Sequence, residues 1–135
     1  MTTNGIDLGK SGRGVAFVYA GDLERALGFY RDTLGLTVVD SDPYGVSLEL
    51  PGALLRLTKV SDFKPHEHPV LGFEIADIVA TIQALNARGV RFEIYDGMGQ
   101  DALGVFTGSD GGKMAFFKDP SGNALMLQTP PTAAG

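Results

Sequence analysis

The 135-residue chain contains no cysteine, which excludes disulfides, thiol catalysis and cysteine-ligated zinc or iron–sulfur clusters. Positive charge is scarce, with 11 Lys and Arg against 16 Asp and Glu and a formal net charge of -5. Nucleic acid is therefore not expected as a partner, because no basic stripe can displace phosphate counterions. No apolar run approaches the roughly 18 residues of a membrane span, and residues 1–12 lack the apolar stretch of a signal peptide. These absences favour a cytoplasmic protein with no membrane partner.

Several motifs that would indicate a specific chemistry are also missing. The sequence has neither a G-x-x-x-x-G-K-[ST] phosphate loop nor a G-x-G-x-x-G after a predicted strand, and it has no serine nucleophile elbow. Its one histidine cluster, His66-Glu67-His68, lies in a polar connector beside Lys64 and prolines. We interpret this cluster as a solvated linker, although it could supply half of a metal site.

What the chain does have is an internal repeat. The segment from Phe17 to Leu23 returns about 55 residues later as Phe73 to Ile78, and each copy continues into a helical pattern, a glycine and an apolar run. Such a period marks a duplicated supersecondary unit. Two short copies cannot form a solenoid, so we expect them to pair face to face and to share a cleft.

The patterns predict one α+β domain of two βαβββ modules that form an eight-stranded, cup-shaped mixed sheet. Module one spans about 13–59, a linker 60–69 and module two about 70–128. Asp22 and Asp77 are predicted helix caps. The loop 96–112 holds six glycines and has room for one short strand. We predict strands at 15–20, 36–40, 46–50, 53–59, 70–76, 90–95, 113–118 and 123–128, and helices at 23–34 and 78–88.

Strand alternation predicts which side chains line the cleft. A two-residue turn at Pro51-Gly52 would place Ser47 opposite Arg56. Arg56 and Glu74 should pair if they are desolvated together, because an isolated buried charge is costly. Alternatively, the polar face simply meets water. The candidate ligand-binding residues are Phe17, Tyr19, Ser47, Arg56, Thr58, Glu74, Phe106, Phe117 and Met126, and the candidate catalytic bases are Glu74 and Glu49.

Two segments closely resemble the vicinal oxygen chelate superfamily, which contains glyoxalase I, extradiol dioxygenases, and fosfomycin- and bleomycin-resistance proteins. Asp22 to Leu36 (DLERALGFYRDTLGL) is similar to the first helix of that family. Phe116 to Asn123 (FFKDPSGN) is similar to its last hairpin, where a D-P-x-G-N turn is typical. The resemblance extends over about residues 15–128. It implies the cup-shaped fold, whereas the chemistry varies widely across the superfamily.

The resemblance also implies where a metal would bind. Metal-using members hold the ion with His or Gln and Glu at positions that correspond here to Val15, Arg56, Val70 and Met126. Two of these side chains are aliphatic, one is a cation and one is a thioether, and none suits a hard or borderline divalent cation. We therefore expect no metal and no cofactor.

Three hypotheses for function follow from these observations. The favoured one is a metal-free protein that binds a small, anionic or aromatic organic molecule, with Arg56 as the polar anchor. The alternative is an enzyme of the same fold, lyase- or dioxygenase-like, that uses Glu74 or Glu49 as a base or an atypical metal. The third is an interaction module without a small ligand. The resemblance also implies a homodimer, since family members complete their cups by pairing modules within or between chains.

Overall fold

Each half of the chain folds into a four- or five-stranded mixed sheet with a helical segment. The structure is a computed structural model and describes residues 5–132. In module one the strand order is β1-β4-β3-β2, and in module two it is β5-β9-β8-β6, with β7 also paired to β8. The strands are β1 (Gly14–Ala20), β2 (Thr37–Asp42), β3 (Gly45–Leu50), β4 (Ala53–Lys59), β5 (Leu71–Glu74), β6 (Phe92–Glu93), β7 (Phe106–Thr107), β8 (Lys113–Lys118) and β9 (Ala124–Gln128).

The predicted α+β class and the repeated βαβββ order are confirmed. Strands β1 and β4 are parallel, as are β5 and β9, and the other pairs are antiparallel. Within residues 5–132 the sheets hold nine strands rather than eight, because the glycine-rich loop contributes the short strand β7. Strand β2 ends at Asp42 instead of residue 40, and β5 and β6 are shorter than predicted.

The helices are α1 (Leu8–Ser11), α2 (Leu23–Gly28) and α3 (Ile78–Ala87). Both predicted caps are confirmed: the carboxylate of Asp22 accepts from the backbone N–H of Arg25, and that of Asp77 accepts from Ala80. The segment after α2, Phe29–Thr33, continues as a π-helical turn rather than as the predicted regular helix. In this turn the backbone N–H of Leu34 donates to the carbonyl of Phe29, five residues earlier, whereas an α-helix bonds residues four apart.

One hydrophobic core serves both modules. The ring centroid of Phe29, in module one, lies 6.4 Å from that of Phe117 on β8. The guanidinium of Arg88, after α3, donates to the carbonyl of Thr33 over 2.9 Å. Burying each large apolar side chain contributes about 1.5–3 kcal/mol, so this common core joins the modules strongly. Its largest fully buried apolar members are Phe117, Leu48, Leu55, Leu57, Ile82, Leu125 and Val18.

Regular structure and hydrogen bonds extend into the N-terminal region and the glycine-rich loop. Short helix α1 lies in the N-terminal region, and residues 1–4 and 133–135 lie outside the described residues. The loop between β6 and β8 is fastened by Gln100, whose amide accepts from the N–H of Tyr95 and donates to the carbonyls of Glu93 and Gly104. None of the helices in residues 5–132 is long and apolar enough to cross a membrane.

Candidate functional site

We call the surface of each sheet that points away from the common core its open face. In module one, Val15, Phe17 and Tyr19 of β1 lie on this face, and Phe17 is 57% exposed. Ser47 lies opposite Arg56, as the two-residue turn predicts, and this register brings both residues to the same face. The predicted register of β3 against β4 is therefore confirmed.

The second module does not shield this face, contrary to the expectation of a cleft enclosed within one chain. Tyr19 is 41% exposed and Val15 is 44% exposed. The reason is that both sheets use their helix-facing sides to build the common core. Phe63 of the linker approaches the open-face aromatics of module one, with its ring centroid 6.2 Å from that of Tyr19.

Arg56 is the most constrained polar side chain of the open face. Its Nη1 donates to the hydroxyl of Ser47 over 3.2 Å, and its Nη2 donates to both carboxylate oxygens of Asp42 over 2.6 and 2.7 Å. The hydrogen bond from Arg56, followed by that from the N–H of Tyr44, holds the pKa of Asp42 below its usual value. The sequence predicted that Arg56 would pair with Glu74, but in the structure Arg56 pairs with Asp42.

This pairing changes the electrostatics of the site. Asp42 neutralises the charge of Arg56, so the open face attracts an anion less strongly than a free guanidinium would. Within residues 5–132, the Nε of Arg56 makes no hydrogen bond. It can therefore still donate to an acceptor oxygen on a ligand. The guanidinium is also fixed in orientation, with only 18% of its side chain exposed.

The two candidate bases, Glu49 and Glu74, lie on separate sheets. Glu49 is half-exposed, and its carboxylate lies 3.8 Å from the guanidinium of Arg13. Glu74 is exposed at the end of β5, opposite Gln128. Neither carboxylate is desolvated within a single chain. Thr58 lies on the open face beside Tyr19, its register partner.

The open face of module two is largely apolar. Met126 packs over Gly72, where an added Cβ would come within 3.1 Å of the methionine Cγ. Phe116 pairs with Met126, and its ring centroid lies 5.9 Å from that of Tyr95. Phe106 pairs with Met114, which puts it on the same face.

Phe117, which was predicted to line the ligand site, lies in the core instead. Phe117 is fully buried, with its ring centroid 5.2 Å from that of Phe92 in the core. Its neighbour Phe116 is the phenylalanine on the open face. The physical reason is register: Phe117 pairs with Leu125, a core residue of β9, and paired residues share a face.

The sequence model of the Glyoxalase/Bleomycin resistance protein/Dioxygenase superfamily matches residues 13–127. The chain belongs to this superfamily. Solved structures of glyoxalase-type proteins have the same fold at less than 25% identity. No protein with curated annotation matches the chain significantly.

Three solved structures illustrate the likeness. A lactoylglutathione lyase from Agrobacterium tumefaciens is 19% identical with a TM-score of 0.67, and the match covers 93% of this chain and 98% of that one. A glyoxalase family protein from Enterococcus faecalis is 24% identical with a TM-score of 0.64, covering 88% and 97%. A glyoxalase/bleomycin resistance protein/dioxygenase from Nocardioides is 18% identical with a TM-score of 0.69, covering 99% and 89%.

The residues at the positions where the resemblance implies a metal do not fit a divalent ion. At the corresponding positions Val15 and Val70 are aliphatic, Arg56 is committed to Asp42, and Met126 packs over Gly72. Among the described residues, no group of three His, Asp or Glu side chains is placed to hold an ion. A repulsive guanidinium stands where a carboxylate ligand would be needed.

Proposed function

We propose that the chain is a metal-free small-molecule-binding protein of the superfamily, with a ligand site on the open face of module one. The observation that carries this proposal is the fixed, half-buried Arg56 beside Phe17 and Tyr19. An aromatic ring of the ligand would pack against these rings, and such pairs contribute about 0.5–1.5 kcal/mol beyond their buried area. The free Nε of Arg56 would donate to an acceptor oxygen on that ligand.

The neutralising Asp42 refines the class of ligand. A polyanion gains little from an ion pair that carries no net charge, whereas a planar molecule with one carboxylate or other acceptor oxygen can use both the rings and the remaining guanidinium donor. We therefore favour a small aromatic acid or an oxygen-rich aromatic compound.

A second copy of the chain is the proposed cover of this face. The exposure of Val15, Phe17 and Tyr19 on one strand leaves a contiguous apolar strip, and an isologous dimer would remove such a strip from water. The same contact would bury the ligand more deeply. Binding and dimerisation should then be linked.

The test begins with chelator-treated protein, so that any binding is independent of metal. A thermal-shift screen of aromatic acids and peptide antibiotics identifies ligands, and calorimetry measures their affinity. Arg56→Met should weaken binding by about 1.5–3 kcal/mol, the range for a hydrogen bond to a charged group. Arg31→Met is the matched control, because Arg31 pairs with the adjacent Asp32 on an exposed helical segment.

Two outcomes would overturn the proposal. One is an equal affinity in the Arg56→Met variant, which would make that side chain structural only. The other is binding that requires a stoichiometric metal ion. Conversion of the ligand, detected by mass spectrometry and abolished by Glu74→Gln or Glu49→Gln, would instead establish the enzyme alternative.

A further inference from the structure

A cavity of about 350 Å³ lies where the ends of the two helical segments meet the turn between β8 and β9. It is lined by none of the residues proposed for the ligand site. Four of the 11 cationic side chains of this acidic protein border it, together with two carboxylates. The cations are Arg25, Arg88, Arg91 and Lys118.

Both carboxylates of the wall are already engaged. Glu93 lies 3.4 Å from the ammonium of Lys118. The oxygens of Asp119 accept from the hydroxyl of Tyr30, from the N–H of Ser121 and from two groups of Asn123. Neither acid forms an ion pair with Arg25, Arg88 or Arg91, so these guanidiniums have no carboxylate partner in the wall.

The arginines differ in whether their side chains make hydrogen bonds or ion pairs. Arg88 is oriented by its hydrogen bond to the carbonyl of Thr33. The side chains of Arg25 and Arg91 make no hydrogen bond or ion pair with any residue in the range 5–132. Two unpaired guanidiniums and one oriented guanidinium around the same cavity repel one another unless an anion lies between them.

We propose that this cavity binds the phosphate group of a small phosphorylated molecule. Guanidinium forks match phosphate oxygens bidentately, and a doubly charged anion can satisfy two arginines at once. A volume of about 350 Å³ is at the lower end of small-molecule sites and holds a compact ligand.

The ligand would bridge the modules. Arg25 belongs to module one, whereas Arg88 and Arg91 follow α3 in module two. A bound phosphate would thus add a link beside the contact between Tyr30 and Asp119. Ligands that bind only the folded state raise its stability, so occupancy should raise the melting temperature.

Calorimetry with inorganic phosphate and with pyrophosphate, at an ionic strength held constant with sodium chloride, tests this inference on the full chain. We expect saturable binding of one anion per chain. Arg25→Gln and Arg91→Gln should each weaken it at least about tenfold, because each removes one uncommitted guanidinium. Arg31→Gln, which changes net charge equally outside the cavity, should leave the affinity unchanged.

The inference fails if no saturable binding occurs or if the three variants lose affinity equally, which would indicate general charge attraction. Circular dichroism of each variant verifies that the fold is intact. Arg56→Met distinguishes this cavity from the proposed aromatic-ligand site. This variant should leave phosphate binding unchanged even where it weakens the binding of an aromatic ligand.

Discussion

The hydroxyl of Tyr30 donates a hydrogen bond to Oδ2 of Asp119 over 2.6 Å, at a buried site between the two modules. The Nδ2 of Asn123 donates to the same carboxylate and to the carbonyl of Tyr19. The first-helix segment and the D-P-x-G-N hairpin, which carry the resemblance to the superfamily, therefore contact each other directly. A carboxylate that accepts from several donors can remain buried at low cost, and this explains why the turn needs Asp and Asn.

The first prediction concerns the strength of this contact. Tyr30→Phe removes one donor to the buried Asp119 and should lower the free energy of unfolding by about 1–3 kcal/mol. Urea denaturation followed by circular dichroism measures the change. Tyr44→Phe is the control, because Tyr44 is exposed and its hydroxyl makes no hydrogen bond within the described chain. Equal effects in the two variants would contradict this prediction.

The second prediction is a dependence on alkaline pH. Burial, and then the negative charge of Asp119, raise the pKa of Tyr30 well above its usual value. The folded state therefore favours the neutral phenol, and its stabilising effect is complete below about pH 10 and is lost as the pH rises further. Tyr30→Phe should lose less stability than the natural chain between about pH 9 and pH 11. Parallel slopes in the two proteins would show that Tyr30 is not responsible.

The register of module one was predictable because the two-residue turn at Pro51-Gly52 fixes the β3–β4 pairing and alternation then assigns the faces. Asp42 was missed because a bulge between Val38 and Asp40 shifts the register of β2, and no sequence pattern marks that bulge. Alternation alone does not show which of the adjacent residues Phe116 and Phe117 faces the core, because both are phenylalanine. Their pairing across the last turn, with Met126 and Leu125, could have identified Phe117 as the core residue.

The exposure of Phe17 was not predictable for a different reason. Alternation assigns a side chain to one face of its sheet, but it does not say what covers that face. The answer depends on how two modules pack, and here they pack through their helix-facing sides. Long-range packing of this kind leaves no local signal in the sequence.

The third prediction tests the pair formed by Asp42 and Arg56 at acid pH. Because the folded state holds the pKa of Asp42 below its usual value, the pair stabilises the fold above about pH 4 and loses this effect as the pH falls through the lowered pKa. Asp42→Asn should therefore lose less stability than the natural chain over that acid range. Asp40→Asn on the same strand is the control, since Asp40 takes part in no ion pair within the described chain. Identical acid profiles for Asp42→Asn and the natural chain would contradict the assignment.

The last prediction concerns the proposed dimer. Phe17 is the most exposed aromatic on β1, and a charge at this position would have to be desolvated in an interface that covers the open face. In sedimentation equilibrium at micromolar concentration, we expect the natural chain to have twice the monomer mass of 14.2 kDa. Phe17→Glu should raise the dimer dissociation constant at least about tenfold and give mainly monomer.

Val79→Glu is the matched control for this experiment, because Val79 is an exposed valine on α3, away from the open face, and the substitution adds the same charge. This variant should dimerise like the natural chain. If both variants dissociate equally, the added charge acts through net repulsion and the interface lies elsewhere. A natural chain that sediments at 14.2 kDa would exclude the dimer at that concentration. The ligand would then have to bind the open face of a single chain, where Phe17 and Tyr19 remain partly in water and the affinity should be correspondingly weaker.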